Sequence, residues 1–316
     1  MPSDTTRSVI LLGPQRLRRT LAQAVRGSGV EGDVAVVTAG WQEREEEVDE
    51  LREHLGGRVV NLQLYRRAEE VFAADTELAR ALRQRQDRLR RMQDVYRLRL
   101  SFALDAARAL LTRRGDPELM VPEREAAIEA VRELDRAHLV RVAAVHREVD
   151  EQWRPFERPV VARHREELAG LMAGCGAFAI AGGHVAVLLN RLRLFGAAAL
   201  AAGKPVFAWS GGAMVAGEQL VLFHDDPPQG PGHAEVLEAG LGLYSGLLPL
   251  PHARRRLRLD DALSVGLLAK RFAGHECVAL DDGAILRREG GAWAPWGGDG
   301  SRRLLPDGTV AELEAA

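Results

Sequence analysis

Val206-Phe207-Ala208-Trp209-Ser210-Gly211-Gly212-Ala213-Met214 is the stretch whose reading decides the fold. Four apolar residues make a short buried strand, one serine follows, and small residues open a helix. A serine in that place sits on a sharp strand-to-helix turn, and its neighbours must be small for the backbone to turn tightly. This is the shape of a nucleophile elbow, with Ala208 where the first glycine of Gly-x-Ser-x-Gly would stand. The plain alternative is a glycine-rich turn in which the serine caps a helix.

Outward from the elbow, apolar runs alternate with helical patterns, the sign of a parallel sheet with crossover helices. Strands are expected over Ser8–Leu12, Asp33–Val37 and Arg58–Leu64, with helices over Arg16–Arg26 and Glu43–Leu55 between them. After Pro159 the alternation resumes. It gives a helix over Arg163–Met172, a strand over Ala177–Ile180, a helix over Val185–Ala202, and the elbow strand Val206–Trp209. Leu248–Leu250 leads into His252, and a helix follows over Asp260–Phe272. Cys277–Leu280 and Ala284–Arg287 read as a hairpin around Asp281-Asp282-Gly283. The tail, Ala292–Val310, reads as short strands on the sheet edge.

Between these two parts, residues 66–151 carry no strand signal. Val71, Leu78, Leu82, Leu89, Met92, Tyr96, Ala103, Ala106 and Leu110 recur at threes and fours, which predicts an amphipathic helix of unusual length. Gly115-Asp116-Pro117 breaks it and Val121-Pro122-Glu123 restarts it. A second helix carries Ile128, Val131, Leu134, His138, Val142, Val145 and Val149, and stops near Trp153-Arg154-Pro155. The expectation is an antiparallel helical hairpin inserted into an α/β domain. Its apolar stripes must be covered by each other, by the body, or by a second subunit in a homodimer. Arg80–Arg114 holds eleven arginines against three aspartates. With few aromatics and acids just outside, it reads as a solvated face or dimer seam rather than a nucleic-acid surface.

Composition narrows the classes. The net charge of −2 over 316 residues argues against a globally electrostatic nucleic-acid binder. The apolar region from Phe178 to Phe207 is interrupted by Arg191, Arg193 and Lys204, so no membrane span is expected. The start of the chain lacks a basic-then-apolar leader pattern. Cys175 and Cys277, the only cysteines, lie in or beside apolar runs and read as reduced buried thiols, pointing to the cytoplasm. No Cys/His cluster has zinc spacing and no Walker-type loop occurs, so neither metal nor cofactor is expected.

A serine nucleophile needs a base and an orienting acid. Asp225 and His252 follow Ser210 in the order that α/β hydrolytic folds often use. Asp225 lies in the loop Phe223-His224-Asp225-Asp226-Pro227-Pro228, where Asp226 is an equally able carboxylate. His252 ends an apolar run, Leu248-Pro249-Leu250-Pro251, and strand ends of a parallel sheet are where sites form. The alternatives are a polar turn for the acids and a helix cap for the histidine.

Several segments, taken in order, resemble the serine peptidase family of aspartyl dipeptidases (peptidase E) and cyanophycinases, on the class I glutamine amidotransferase-like fold. Ile180-Ala181-Gly182-Gly183-His184 resembles its Gly-Gly-Asn segment, and Trp209-Ser210-Gly211-Gly212-Ala213 its Ser-Ala-Gly-Ala elbow. Gly240-Leu241-Gly242-Leu243, then Pro251-His252 with the Arg254–Leu259 run, resemble its Gly-Leu-Gly-Leu, Pro-His and Arg-rich helix start. Gly274-His275-Glu276-Cys277-Val278-Ala279 resembles its Gly-x-Asp-Glu-x-Thr-Ala strand. The resemblance covers Ala177 to Leu286, matches residues 1–64 in architecture only, and leaves the hairpin outside. It implies Ser210 as nucleophile, His252 as general base, Asp225 as acid, and the amides of Gly211 and Gly183 as oxyanion donors. His184 replaces an asparagine, and Pro251 stands where cyanophycinases carry a glutamine.

Together these readings predict a flavodoxin-like three-layer α/β sandwich with a parallel sheet. Residues 1–65 and 152–316 form it, and residues 66–151 are the inserted hairpin. The expected activity is serine hydrolysis of a peptide or amide bond in a small, aspartyl-type substrate through an acyl-enzyme. Trp41, at the end of the second strand, and Trp209, His184 and Glu276 are candidates for lining the pocket; for Glu276 the alternative is a partner for Arg256 or Arg258. The rival reading is a non-catalytic scaffold whose basic hairpin binds a partner or forms an oligomer. An amidotransferase is disfavoured because the elbow carries serine, not cysteine.

Overall fold

A computed structural model describes residues 8–228, 232–289 and 291–313. In chain order the elements are β1 (Val9–Leu12), α1 (Leu21–Gly27), β2 (Asp33–Val37), α2 (Asp49–His54), β3 (Val59–Asn61), α3 (Leu64–Ala74), α4 (Thr76–Thr112) and α5 (Pro117–Trp153). They continue as α6 (Pro159–Ala173), β4 (Cys175–Ile180), α7 (Val185–Leu194), α8 (Ala197–Leu200), β5 (Val206–Trp209), α9 (Gly211–Ala216), β6 (Gln219–Leu222), β7 (Glu235–Ala239) and β8 (Leu247–Pro251). The rest are α10 (Ala253–Arg256), α11 (Ala262–Arg271), β9 (Glu276–Leu280), β10 (Ile285–Glu289), β11 (Ala292–Pro295), β12 (Ser301–Leu304) and β13 (Val310–Glu312).

The main sheet has the order β11-β10-β1-β5-β4-β2-β3. β1, β5, β4, β2 and β3 are parallel neighbours, while β10 and β11 close one edge antiparallel. Its central strands are buried on both faces, which is why they read as unbroken apolar runs rather than alternating ones. Side chains alternate between two cores. Ile10, Val36, Phe207 and Trp209 meet α1, and Leu11, Val37, Phe178 and Ala208 meet the side of α3, α6, α7 and the hairpin. The molecule is therefore a flavodoxin-like three-layer sandwich with two long inserted helices.

Several boundaries differ from expectation, each for a local reason. The helix expected over Val185–Ala202 breaks at Gly196, whose φ of 63° ends α7 and starts the short α8. The hairpin expected over residues 277–287 does not form. β9 pairs with β8 and β12 in a second sheet of order β13-β12-β9-β8, whereas β10 pairs with β1 and β11 in the first. Asp281-Asp282-Gly283 is thus the crossing between two sheets, and His252 arrives from the second sheet rather than the parallel one. β8 is an edge strand there, which suits its Pro249 and Pro251, since neither can donate to a ladder.

α4 and α5 are 37 residues each, about 55 Å long at 1.5 Å per residue. Asp75 accepts from Leu78 N–H at 3.0 Å to start α4, and Asp116 accepts from Glu118 N–H at 3.0 Å to start α5. Pro122 lies inside α5 rather than restarting it. The hairpin is fastened to the body by a buried network. Arg271 of α11 donates to both oxygens of Asp135 at 2.7 and 2.8 Å and to Tyr96 Oη at 3.0 Å. Tyr96 Oη in turn donates to Asp135 at 2.7 Å and accepts from Val236 N–H of β7 at 3.1 Å. On the outer face of α4, Val95, Leu98 and Phe102 stay exposed. Cys175 and Cys277 are buried and unbridged. Among the described residues no helix is long and apolar enough to cross a membrane.

Candidate active site

Ser210 follows the buried end of β5 with φ 50° and ψ −125°, a conformation rarely adopted by a residue with a side chain. The turn is tight because β4 lies directly behind it. A Cβ on Gly212 would fall 2.1 Å from Ile180 O, so only glycine fits there. Although Ser210 stands at the N-terminus of α9, its hydroxyl makes no capping bond. Its Oγ lies 3.3 Å from His252 Nε2 instead. Apo nucleophile–base pairs are commonly this loose.

His252 is placed by the second sheet. Its N–H donates to Leu280 O at 3.2 Å, and its φ of 60° turns the chain out of β8 into α10. Its side chain makes no cap on α10. Burial lowers the imidazole pKa below its usual value, and the Arg256 cation lowers it further; Asp282, then Asp281, pull the other way. The ring is therefore held neutral near neutral pH and able to accept a proton.

Gly183 and Gly211 come together beside Ser210. A Cβ on Gly211 would lie 3.5 Å from Gly183 N, and one on Gly182 would lie 3.2 Å from Gly211 N. Gly183, at φ 111°, meets the backbone of Gly40 so closely that a Cβ would be 2.3 Å from Gly40 O. Gly211 opens α9, where N–H groups have no carbonyl of their own helix to bond. Among the described residues Gly183 N–H has no backbone acceptor. Two backbone amides thus lie near the serine.

The two aspartates expected behind His252 are engaged elsewhere. Asp225 Oδ2 accepts from Arg258 N–H at 2.7 Å, and its own N–H donates to Arg256 O at 2.8 Å. Asp226 pairs with Arg258 Nε at 3.3 Å. These bonds tie the loop after β6 to the segment after α10, and neither acid bonds the imidazole. The acids acting on His252 come from the crossing after β9. Asp281 is buried and already holds Arg254 N–H at 3.1 Å and Arg302 at 2.9 Å. Asp282, half-buried, exerts the larger pull on the ring. The sequence signal at Asp281-Asp282-Gly283 was that of a hairpin turn, which hid it.

The expected pocket-lining residues divide. Trp209 is buried in the core beneath α1 and so lines nothing, and Trp41, half-buried, packs against that same core. His184 is exposed beside Gly183, with Nδ1 accepting from Val187 N–H at 3.3 Å as the cap of α7. Glu276 pairs with Arg303 at 2.7 Å. Because β8 and β9 run parallel, Glu276 sits beside Leu247, and Leu280 sits beside Pro251. That puts Glu276 four residues, about 13 Å, from the His252 end, too far to touch a substrate there.

Gln42, in the segment Trp41-Gln42-Glu43 expected at the edge of the sheet, is half-buried at φ 59° and ψ −125°. Its loop is held from several sides. Glu45, buried, accepts from Tyr65 N–H and Arg66 N–H at 2.9 and 3.0 Å, and Thr38 Oγ1 donates to Glu45 O at 2.9 Å. Gly40 O accepts from His184 N–H at 2.7 Å, joining this loop to the Gly183 turn.

No protein-family model matches the chain, and no curated protein does. Among solved structures, a peptidase from an acI-B1 Actinobacterium is similar over 98% of this chain and 95% of its own, with TM-score 0.49 and 13% identity. A putative peptidase E protein from Listeria monocytogenes EGD-e is similar over 42% of this chain and 64% of its own, with TM-score 0.29 and 17% identity. At such values the chemistry has to be read from this chain's own residues.

Proposed function

We propose that this chain is a serine hydrolase that cleaves a peptide or amide bond of a small substrate through an acyl-enzyme. The observation that carries the reading is the 3.3 Å approach of Ser210 Oγ to His252 Nε2 from a serine whose hydroxyl caps nothing. His252 takes the serine proton as Oγ attacks the carbonyl carbon, then returns it to the leaving amine. A water activated by the same imidazole releases the acid. Gly183 and Gly211 N–H groups hold the tetrahedral oxygen, where charge develops only in the transition state. Asp282 takes the role expected of Asp225, stabilising the imidazolium through its charge. Arg255 is exposed, has no ion pair among the described residues, and acts on the same ring, so a substrate carboxylate has a cation to meet. This supports an acidic, aspartyl-type substrate.

The test is labelling of folded protein by a fluorophosphonate probe. Ser210 should be the labelled residue, Ser210→Ala should abolish the adduct, and His252→Ala should slow it strongly. A folded protein that never labels at Ser210 would leave the non-catalytic scaffold as the better reading.

A further inference from the structure

A cavity of about 690 Å³ lies among α3, α4, α5 and α7. It includes none of the residues of the Ser210 site. α7 runs between the two: its first residue follows His184 beside Ser210, and its last five residues contribute Asn190, Arg191, Arg193 and Leu194 to the cavity wall. One wall is apolar, with Phe72, Leu82, Val142 and Leu194. The rest is cationic. Five arginines line the cavity against three carboxylates, an excess of two positive charges with His146 neutral, and of one when Glu238, the partner of Arg193, is included.

Of these cations Arg83 and Arg154 are exposed, and Arg191 and Arg193 pair with Glu69 and Glu238, which leaves Arg85 as the buried and incompletely paired one. Arg85 has a side chain only 10% exposed; its nearest carboxylate, Asp150, is at 3.6 Å, and the Asn190 amide oxygen is at 3.4 Å. Its Nε is buried without an acceptor, as is Arg191 Nε, and His146 Nδ1 is buried without a partner. Burial lowers the pKa of both Arg85 and Arg191. A buried guanidinium with unmet donors is costly to keep, and it is also the group that best recognises a carboxylate or phosphate. A concave, largely apolar site of this size with a few convergent polar groups is the usual form of a small-molecule pocket.

We propose that the cavity between the helical hairpin and α7 binds a small amphiphilic anion, whose carboxylate or phosphate head meets Arg85 and whose apolar body lies against Phe72, Leu82 and Val142. The site is separate from the hydrolytic one and does not depend on that reading. Its likeness to a buried charge kept for a ligand has a sharp consequence. Replacing Arg85 by an apolar residue of similar length removes an underpaired buried cation, so the ligand-free protein should gain stability while the ligand is lost.

The experiment is calorimetric titration of the full chain with octanoate, octyl phosphate and octan-1-ol, together with thermal melts. The anions should bind one per chain and raise Tm, and octan-1-ol should bind at least tenfold more weakly. The stronger of the two anions tells a carboxylate ligand from a phosphate one. Arg85→Met should melt at or above the parent and lose at least tenfold in anion affinity. Ala143→Phe, which fills the cavity from α5, should block anions and octanol alike. Binding should persist in Ser210→Ala, which separates this site from the catalytic one. Equal affinity for octanoate and octanol, anion binding indifferent to both Arg85→Met and Ala143→Phe, or no binding of either anion at millimolar concentration would each overturn the proposal.

Discussion

Ser210 and Gln42 share one backbone conformation, φ 50° and ψ −125° against φ 59° and ψ −125°, although neither is glycine. Ser210 ends β5, Gln42 follows β2, and β4 lies between the two strands. Such a conformation costs on the order of 1–3 kcal/mol and persists only where the surroundings over-determine it. At Gln42 those surroundings are the bonds of Thr38, Glu45 and Gly40. The strain is therefore held at two points around the Gly183 turn.

If Gln42 is strained in order to present its amide to substrate, two substitutions should part company. Gln42→Gly should stabilise the protein by about 1 kcal/mol, since relief of strain outweighs the added freedom of the unfolded chain. Gln42→Ala keeps the strain and should leave stability within about 0.5 kcal/mol. Both should raise KM, lowering kcat/KM about tenfold. Chemical denaturation and steady-state kinetics check this, and unchanged kinetics in both variants would assign the strain to folding alone.

On the proposed function, Ser210 and His252 should behave as one unit. Ser210→Ala and His252→Ala should each lower kcat by about 10³-fold or more, and the double variant by little more. The acids provide the finer distinction. Asp282→Asn should cost about 10²-fold through loss of imidazolium stabilisation. Asp225→Asn should cost under about threefold, because its carboxylate holds Arg258 N–H rather than the ring. The reverse ranking would restore the loop after β6 as the source of the acid.

Much of this was legible in the chain, and what was not has a common cause. The runs Val9–Leu12, 34–37 and Val206–Trp209 are apolar because both faces of their sheet are covered, and they declare themselves without partners. The elbow is legible because Gly211 and Gly212 answer a local steric demand. Asp282 was hidden because a turn signal reports only that the chain bends, not which strands it joins. β9 and β10 look like a hairpin, yet they do not pair with each other: β9 joins β8 and β12, and β10 joins β1 at the start of the chain and the following β11. The place of Gln42 after the second strand was legible, but its conformation was not: nothing about a glutamine announces a positive φ imposed by tertiary bonds.

The pH dependence of the hydrolytic rate should follow His252. Its pKa is lowered chiefly by burial and next by Arg256. The neutral, proton-accepting ring should therefore persist below 6.5, and kcat/KM should fall only as pH drops through the lowered value. Arg256→Leu removes a cation that lowers the pKa, so the acid limb should move up. Asp282→Asn removes the strongest opposing charge, so the limb should move down. The same shift works against folding in acid, because the unfolded chain takes up a proton near 6.5 that the folded ring still refuses. Profiles of kcat/KM against pH for the three proteins test this; an acid limb that stays put in both variants would remove His252 as the titrating base.

The hairpin's attachment should be governed by Arg271, whose side chain is 2% exposed and whose carboxylate partner Asp135 is 9% exposed. Asp135→Ala leaves a guanidinium buried with only Tyr96 Oη and Ala234 O to accept from it. That should cost about 3–5 kcal/mol, since an uncompensated buried charge is far dearer than the lost bond alone. Tyr96→Phe removes one hydroxyl while the ion pair and the ring's stack on His138 at 4.1 Å remain, and should cost about 1–2 kcal/mol. Pairing Asp135→Leu with Arg271→Met replaces the ion pair by apolar bulk and should recover most of the loss. Urea unfolding of the four proteins measures each step. Were Asp135→Ala to cost no more than Tyr96→Phe, the ion pair would not be what fastens α5 to α11, and the apolar contacts of α4 and α5 with the body would have to hold the hairpin unaided.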